Sequence, residues 1–136
     1  MSSEIPGLSR RREAREEALT ALYQADLLSI SVDDSLIERH VPADSYANDI
    51  CGGVAAHIDE LDELLGRHLQ QWSVSRMPII DRALARMAVW EIKFSPSTPT
   101  GVVLSEAVEL ASNYCGERSP QFLNGVLSAI ADEVRS

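Results

Sequence analysis

Apolar residues recur along this chain at intervals of three and four and never settle into strict alternation. That is the period of a helix with one buried stripe, and it predicts helix nearly throughout, with no strand-like run flanked by turn residues. The longest pattern runs from about Ala43 to Trp72, through Ile50, Val54, Ile58, Leu61, Leu65, Leu69 and Trp72. It reads as one amphipathic helix, with Gly52-Gly53 as a point of bending or close backbone approach. Upstream, residues 1–9 are rich in Ser, Pro and Gly and read as a flexible N-terminus. Ser9 is the expected N-cap of a helix to about Leu28, with Ala14, Ala18, Ala21/Leu22, Ala25 and Leu28 inward. An alanine-rich stripe suits close helix packing. Asp33 and Asp34 then suit the start of a short helix through Arg39, stopped by Pro42.

The second half repeats the grammar. Ser75 and Pro78 open a helix over about Met77–Phe94, with Ile80, Leu84, Met87, Ala88 and Ile92 inward. Ser95-Pro96-Ser97-Thr98-Pro99 reads as a linker. A helix over about Val102–Tyr114 carries Val103, Ala107, Leu110 and Tyr114, and Cys115-Gly116 closes it. Ser119 and Pro120 start the last helix, whose stripe is Leu123, Val126, Leu127, Ile130 and Val134. The expectation is an all-α domain over 10–136, built as a helical bundle of about six to seven helices.

Length and composition narrow the function classes. A chain of 136 residues suits one domain. No apolar run approaches the ~20 residues of a membrane span, and no secretory h-region follows the N-terminal charges, so a cytoplasmic protein is expected. Cys51 and Cys115 read as free thiols. His40, His57 and His68 match no metal-ligand spacing, and there is no P-loop, G-x-G-x-x-G or nucleophile elbow. Neither catalysis, cofactor nor metal is expected.

Charge adds one sharp feature. The net charge is −9, which opposes diffuse attraction to nucleic acid. Yet Arg10, Arg11, Arg12 and Arg15 fall within six positions near the N-terminus. Spacings of three and four place these arginines on one solvent face. Cations at a helix start oppose its dipole, so binding to RNA or DNA is the better reason for them than helix stability. The plainer reading is a solvated helix start paired locally with Glu13, Glu16 and Glu17.

Four blocks resemble a known family. Residues 11–23, Arg-Arg-Glu-Ala-Arg-Glu-Glu-Ala-Leu-Thr-Ala-Leu-Tyr, are similar to the opening of the bacterial NusB family of transcription antitermination factors. Residues 80–92 resemble its central helix. Leu104-Ser105-Glu106-Ala107-Val108-Glu109-Leu110-Ala111 and Phe122-Leu123-Asn124-Gly125-Val126-Leu127 resemble its last two blocks, in order and at matching distances. The resemblance implies two packed helical sub-bundles and a non-enzyme. It implies binding to boxA-type single-stranded RNA together with NusE, a small-subunit ribosomal protein, in an RNA polymerase antitermination complex on ribosomal RNA operons.

Carried over residue by residue, Arg11, Arg12 and Arg15 are the first expected RNA contacts, through charge-assisted bonds to phosphate, with Arg10 adjoining. Phe122 is expected to stack on a base and Asn124 to read a base edge; core packing and a structural hydrogen bond are their alternatives. Tyr23, Asp81, Arg82 and Glu91 are the expected NusE surface, against the alternative of exposed helix charges and a core tyrosine. Thr20 and Ser105 stand where the family often has Gln and Asn. Ser112 and Gln121 stand where Lys is common, and Arg118 where an acid is frequent, which puts RNA affinity in question. A protein-docking module or homodimeric scaffold with weak or no RNA binding is the alternative function.

Overall fold

The computed structural model describes residues 6–70 and 73–135. Among them are seven α-helices, one short 3-10 turn and no strand. The helices are α1 (Pro6–Leu28), α2 (Val32–Glu38), α3 (Tyr46–Ala56), α4 (Ile58–His68), α5 (Ile79–Phe94), α6 (Thr100–Tyr114) and α7 (Ser119–Arg135). Trp72, expected to close the long central pattern, lies outside the described residues, as do residues 1–5.

The chain forms two sub-bundles that share α5. On one side α1 packs on α2, α3 and α5; on the other α6 and α7 pack on each other and on α5, while α4 lies on α5 and α7. α5 is central because three of its faces are apolar or neutralised: Ala83, Leu84, Ala85, Met87, Ala88, Val89 and Ile92 are all buried. The alanine stripe of α1 is buried as expected at Ala18, Ala21 and Ala25, with Leu19 and Leu22 beside it. Leu28, the last residue of α1, departs from that expectation and stands exposed.

Several boundaries differ from the sequence expectation, each for a local reason. α1 is already helical at Pro6, so Ser9 lies inside it and is not its cap. The pattern over 43–72 is two helices, α3 and α4, divided at His57 (φ −123°, ψ 22°) and not at the glycines. His57 stacks on Phe94 of α5, ring centroids 4.2 Å apart, which draws the chain aside there. Gly53 instead admits the Trp90 indole, where any Cβ would overlap the ring. The cap of α2 is Ser31, whose hydroxyl accepts from the Asp34 N–H at 3.0 Å; Asp33 and Asp34 sit in the first turn, favourable to the helix dipole.

α1 and α2 both end in a left-handed residue that is not glycine, Ser29 (φ 55°) and His40 (φ 56°). In each the next N–H reaches back to the carbonyl five residues earlier, Ile30 to Ala25 at 3.0 Å and Val41 to Leu36 at 2.9 Å. These are Schellman closures, and the one at His40 stops α2 before Pro42 is reached. Ser75 belongs to the 3-10 turn, and Pro78 stands at the N-cap of α5.

The other end of the fold is clamped by Arg135. Its guanidinium donates to the carbonyls of Glu91, Ile92, Ser95 and Thr98 and to the Thr100 hydroxyl, at 2.7–3.1 Å. One side chain on α7 thus caps carbonyls in the last turn of α5 and holds the linker to α6.

Candidate RNA and partner interface

The arginine-rich turns of α1 lie against α3, α5 and α6, and the four arginines have four different fates. Arg10 and Arg11 are exposed. The Arg11 guanidinium stacks on the Tyr46 ring, 3.7 Å from its centroid. Arg12 is part-exposed and is held by Glu106 at 3.2 Å and Glu109 at 3.6 Å, both on α6. Arg15 is only 3% exposed. Its Nε and Nη2 donate to the two carboxylate oxygens of Glu91 at 2.7 and 2.8 Å, a bidentate fork, and its Nη1 lies 3.6 Å from Glu106.

Arg15 therefore corrects the expectation of one solvent-facing arginine face. It sits in register with Ala18, Leu19 and Leu22, the buried stripe, one turn deeper along the helix than exposed Arg11. Burial by itself works against its charge; the bonded Glu91, with Glu106 nearby, outweighs that and raises the guanidinium above its ordinary value. Tyr46 completes the cluster by donating its hydroxyl to Glu91 at 2.7 Å. Burial, then the Glu91 charge, pushes the Tyr46 phenol upward, so it remains a neutral donor.

The expected partner surface on α5 is also dispersed. Glu91 is 2% exposed and committed to Arg15 and Tyr46. Asp81 is buried and accepts from the Ser119 hydroxyl of α7 at 2.5 Å. Arg82 turns to α1, donating to Asp26 at 2.6 and 3.1 Å. Beside it, Arg86 makes a bidentate pair with Asp62 of α4, both bonds 2.8 Å. Adjacent positions on a helix point ~100° apart, so Asp81 and Arg82 cannot share a face. Arg82, with half-buried Tyr23 on α1, is what remains of that surface.

Phe122 and Asn124 are both exposed, on opposite edges of the outer face of α7. Phe122 borders a cleft of about 310 Å³ with Met77, Pro78, Asp81, Arg118 and Ser119. Asn124 borders a shallow groove between α6 and α7 with Leu104, Ser105, Glu109 and Gln121. Glu109 joins that groove to Arg12, so Asn124 and the α1 arginines share one side of the molecule. Among the described residues no group of His, Cys, Asp and Glu is placed to hold a metal, and no helix is long and apolar enough to cross a membrane.

The NusB family model matches residues 12–132. The chain belongs to the NusB family. It is 39% identical over 127 residues to the transcription antitermination protein NusB of Lysinibacillus sphaericus, covering 91% of this chain and 98% of that one. It is 35% identical to the NusB of Bacillus subtilis, covering 92% and 97%. Among solved structures it resembles T. maritima NusB, with a TM-score of 0.83, 30% identity and coverage of 90% and 91%. It also resembles a chain of the crystal structure of the antitermination factors NusB and NusE in complex with dsRNA, with a TM-score of 0.79, 30% identity and coverage of 92% and 98%.

Within this NusB-family chain, the departures from the family pattern have visible fates. The hydroxyls of Thr20, Ser105 and Ser112 each donate back to a carbonyl of their own helix, Glu16, Val102 and Val108, at 2.9–3.3 Å. Gln121 and Arg118 are exposed, and Arg118 shares the cleft of Phe122. Two members of the α1 cluster escaped the sequence reading. Glu106 carried a signal, because it falls in the buried register of Val103, Ala107 and Leu110. Tyr46 carried none, since its contact with Arg11 joins residues far apart in the chain.

Proposed function

We propose that this chain is a transcription antitermination factor of the cytoplasm. It binds boxA-type single-stranded RNA jointly with the ribosomal protein NusE, as part of the RNA polymerase antitermination complex on ribosomal RNA operons. The observation that carries this reading is the near full-length similarity to a NusB solved together with NusE and dsRNA. The RNA face runs from Arg10, Arg11 and Arg12 on α1 across the α6–α7 groove to Asn124, with Phe122 at the far edge of α7. Arg15 supports it from inside by locking α1 to α5. The NusE face is assigned to Arg82 and Tyr23.

A second reading has its own support. Of the three first-choice arginines, Arg15 is buried and Arg12 is shared between two carboxylates, on a chain of net charge −9. That favours a docking module which keeps the NusE partner and has little use for RNA. Fluorescence anisotropy with boxA-type and scrambled RNA, with and without NusE, over a salt series separates the two. Sequence-selective binding strengthened by NusE, with a salt slope reduced by ~0.7 per phosphate contact removed, supports the RNA reading. Binding to NusE with no RNA preference at any salt supports the docking module. A mass measurement alone and with NusE detects a homodimeric scaffold.

A further inference from the structure

Arg11 differs from its neighbours in what holds it. Among the described residues no carboxylate pairs with it, whereas Arg12 and Arg15 are both held by glutamates. Its guanidinium carbon lies over the Tyr46 ring, 3.7 Å from the centroid, close enough for the planar group to stack on the face. Stacking on a ring face leaves the in-plane N–H donors of the fork unobstructed, which is the geometry phosphate recognition uses. Tyr46 is in turn fixed from behind. Its hydroxyl donates to Glu91 at 2.7 Å, and Glu91 is locked by the fork from Arg15 at 2.7 and 2.8 Å. Trp90 stands beside it, ring centroids 6.3 Å apart. The buried ion pair therefore sets the ring, and the ring sets an exposed cation.

We propose that Tyr46 is a positioning residue for RNA binding: it acts as a platform that presents the Arg11 guanidinium, already ordered on the ring, to an RNA phosphate. The inference rests on the RNA reading above and deepens it. An arginine loose in solvent loses rotamer freedom when it grips a phosphate; one stacked beforehand has less to lose.

The test is a double-mutant cycle between Arg11 and Tyr46, read by anisotropy of a labelled boxA-type RNA with NusE present. Tyr46→Leu removes the platform and is expected to weaken binding about threefold to tenfold. In an Arg11→Ala background the same change is expected to have no further effect. Tyr46→Phe keeps the ring beside Trp90 but loses its bond to Glu91, and is expected to lose less than about threefold. Arg11→Lys retains the charge on a side chain that stacks poorly, and is expected to lose about as much as Tyr46→Leu. This variant leaves the core untouched, so it decides the matter if Tyr46→Leu does not fold. Parental affinity in Arg11→Lys, or an equal loss from Tyr46→Leu with and without Arg11, overturns the platform while leaving RNA binding standing. No selective RNA binding by the parent overturns both.

Discussion

Removing Glu91 should damage this protein far more than removing any surface acid. Glu91 is 2% exposed and Arg15 3%, and the carboxylate accepts three hydrogen bonds, two from Arg15 and one from Tyr46. Glu91→Ala leaves a buried guanidinium with only Glu106, at 3.6 Å, to answer it. Breaking a buried pair by deleting one partner costs about 3–5 kcal/mol. Set against a total stability of about 5–15 kcal/mol, that is a large share. With a urea slope of about 2 kcal/mol/M, the unfolding midpoint should fall by roughly 2 M with the slope unchanged. The control is Glu63→Ala, which removes the exposed Glu63–Arg67 pair on α4 and should cost less than about 0.5 kcal/mol. The double variant Arg15→Met/Glu91→Leu replaces both charges with apolar groups and should recover most of the loss, since no buried charge is then orphaned. A Glu91→Ala shift no larger than that of Glu63→Ala would refute the reasoning. So would a double variant as unstable as the single one, because the loss would then not come from an orphaned charge.

Three more expectations follow from single sites. Gly52→Ala and Gly53→Ala, adjacent in α3, should move stability in opposite directions: Gly52 faces open space and should gain about 0.5–1 kcal/mol of helix propensity, whereas a Cβ at Gly53 overlaps Trp90 and should cost about 1–3 kcal/mol, both read by urea midpoint. Ser29→Gly should stabilise by about 1 kcal/mol by relieving the left-handed backbone at the end of α1, and thermal unfolding should register it as a higher Tm; no change would mean that the Schellman closure is unstrained. Burial, aided by Glu17 at Cys51 and by Asp81 at Cys115, pushes both thiols up to about 12 from 9.0. Raised folded values mean that the folded state holds protons the unfolded state has released, so this stability is complete below pH 9 and is lost as pH rises from about 9 toward 12. The urea midpoint should therefore fall across that window, and both thiols should resist a disulfide-exchange reagent at pH 8 until the chain unfolds.

The sites that the sequence reading misplaced share one cause. By charge alone Arg15 and Glu91 read as surface groups and Glu106 draws no assignment, yet each occupies an inward register. Arg15 is in step with Ala18, Leu19 and Leu22; Glu91 with Leu84, Met87 and Ala88; Glu106 with Val103 and Leu110. Three charges in core register on three helices imply that they meet, and they do. The period that places these charges inward is legible in the sequence; the partners that let them stay there are not. Arg135 is a different case. Its carbonyl partners span the end of α5 and the following linker, and no local pattern marks an arginine that caps another helix.

Sequence alone determined that this chain is helical, because a three-and-four period of apolar residues can bury a stripe only as a helix. It determined the family, because four blocks agree in order and spacing. It also located the end of α5 at Ser95-Pro96, the end of α6 at Cys115-Gly116 and the start of α7 at Ser119-Pro120. The tertiary structure decided which charges face water. Four neighbouring arginines became two exposed cations, one shared and one buried, according to what α3, α5 and α6 set against them. It likewise decided that the long central pattern breaks at His57 and that Asp81, Arg82 and Glu91 diverge. Periodicity reports which side of a helix is apolar. Where a charged side chain ends up depends on whether another helix brings it an opposite charge, and that is settled only when the helices pack.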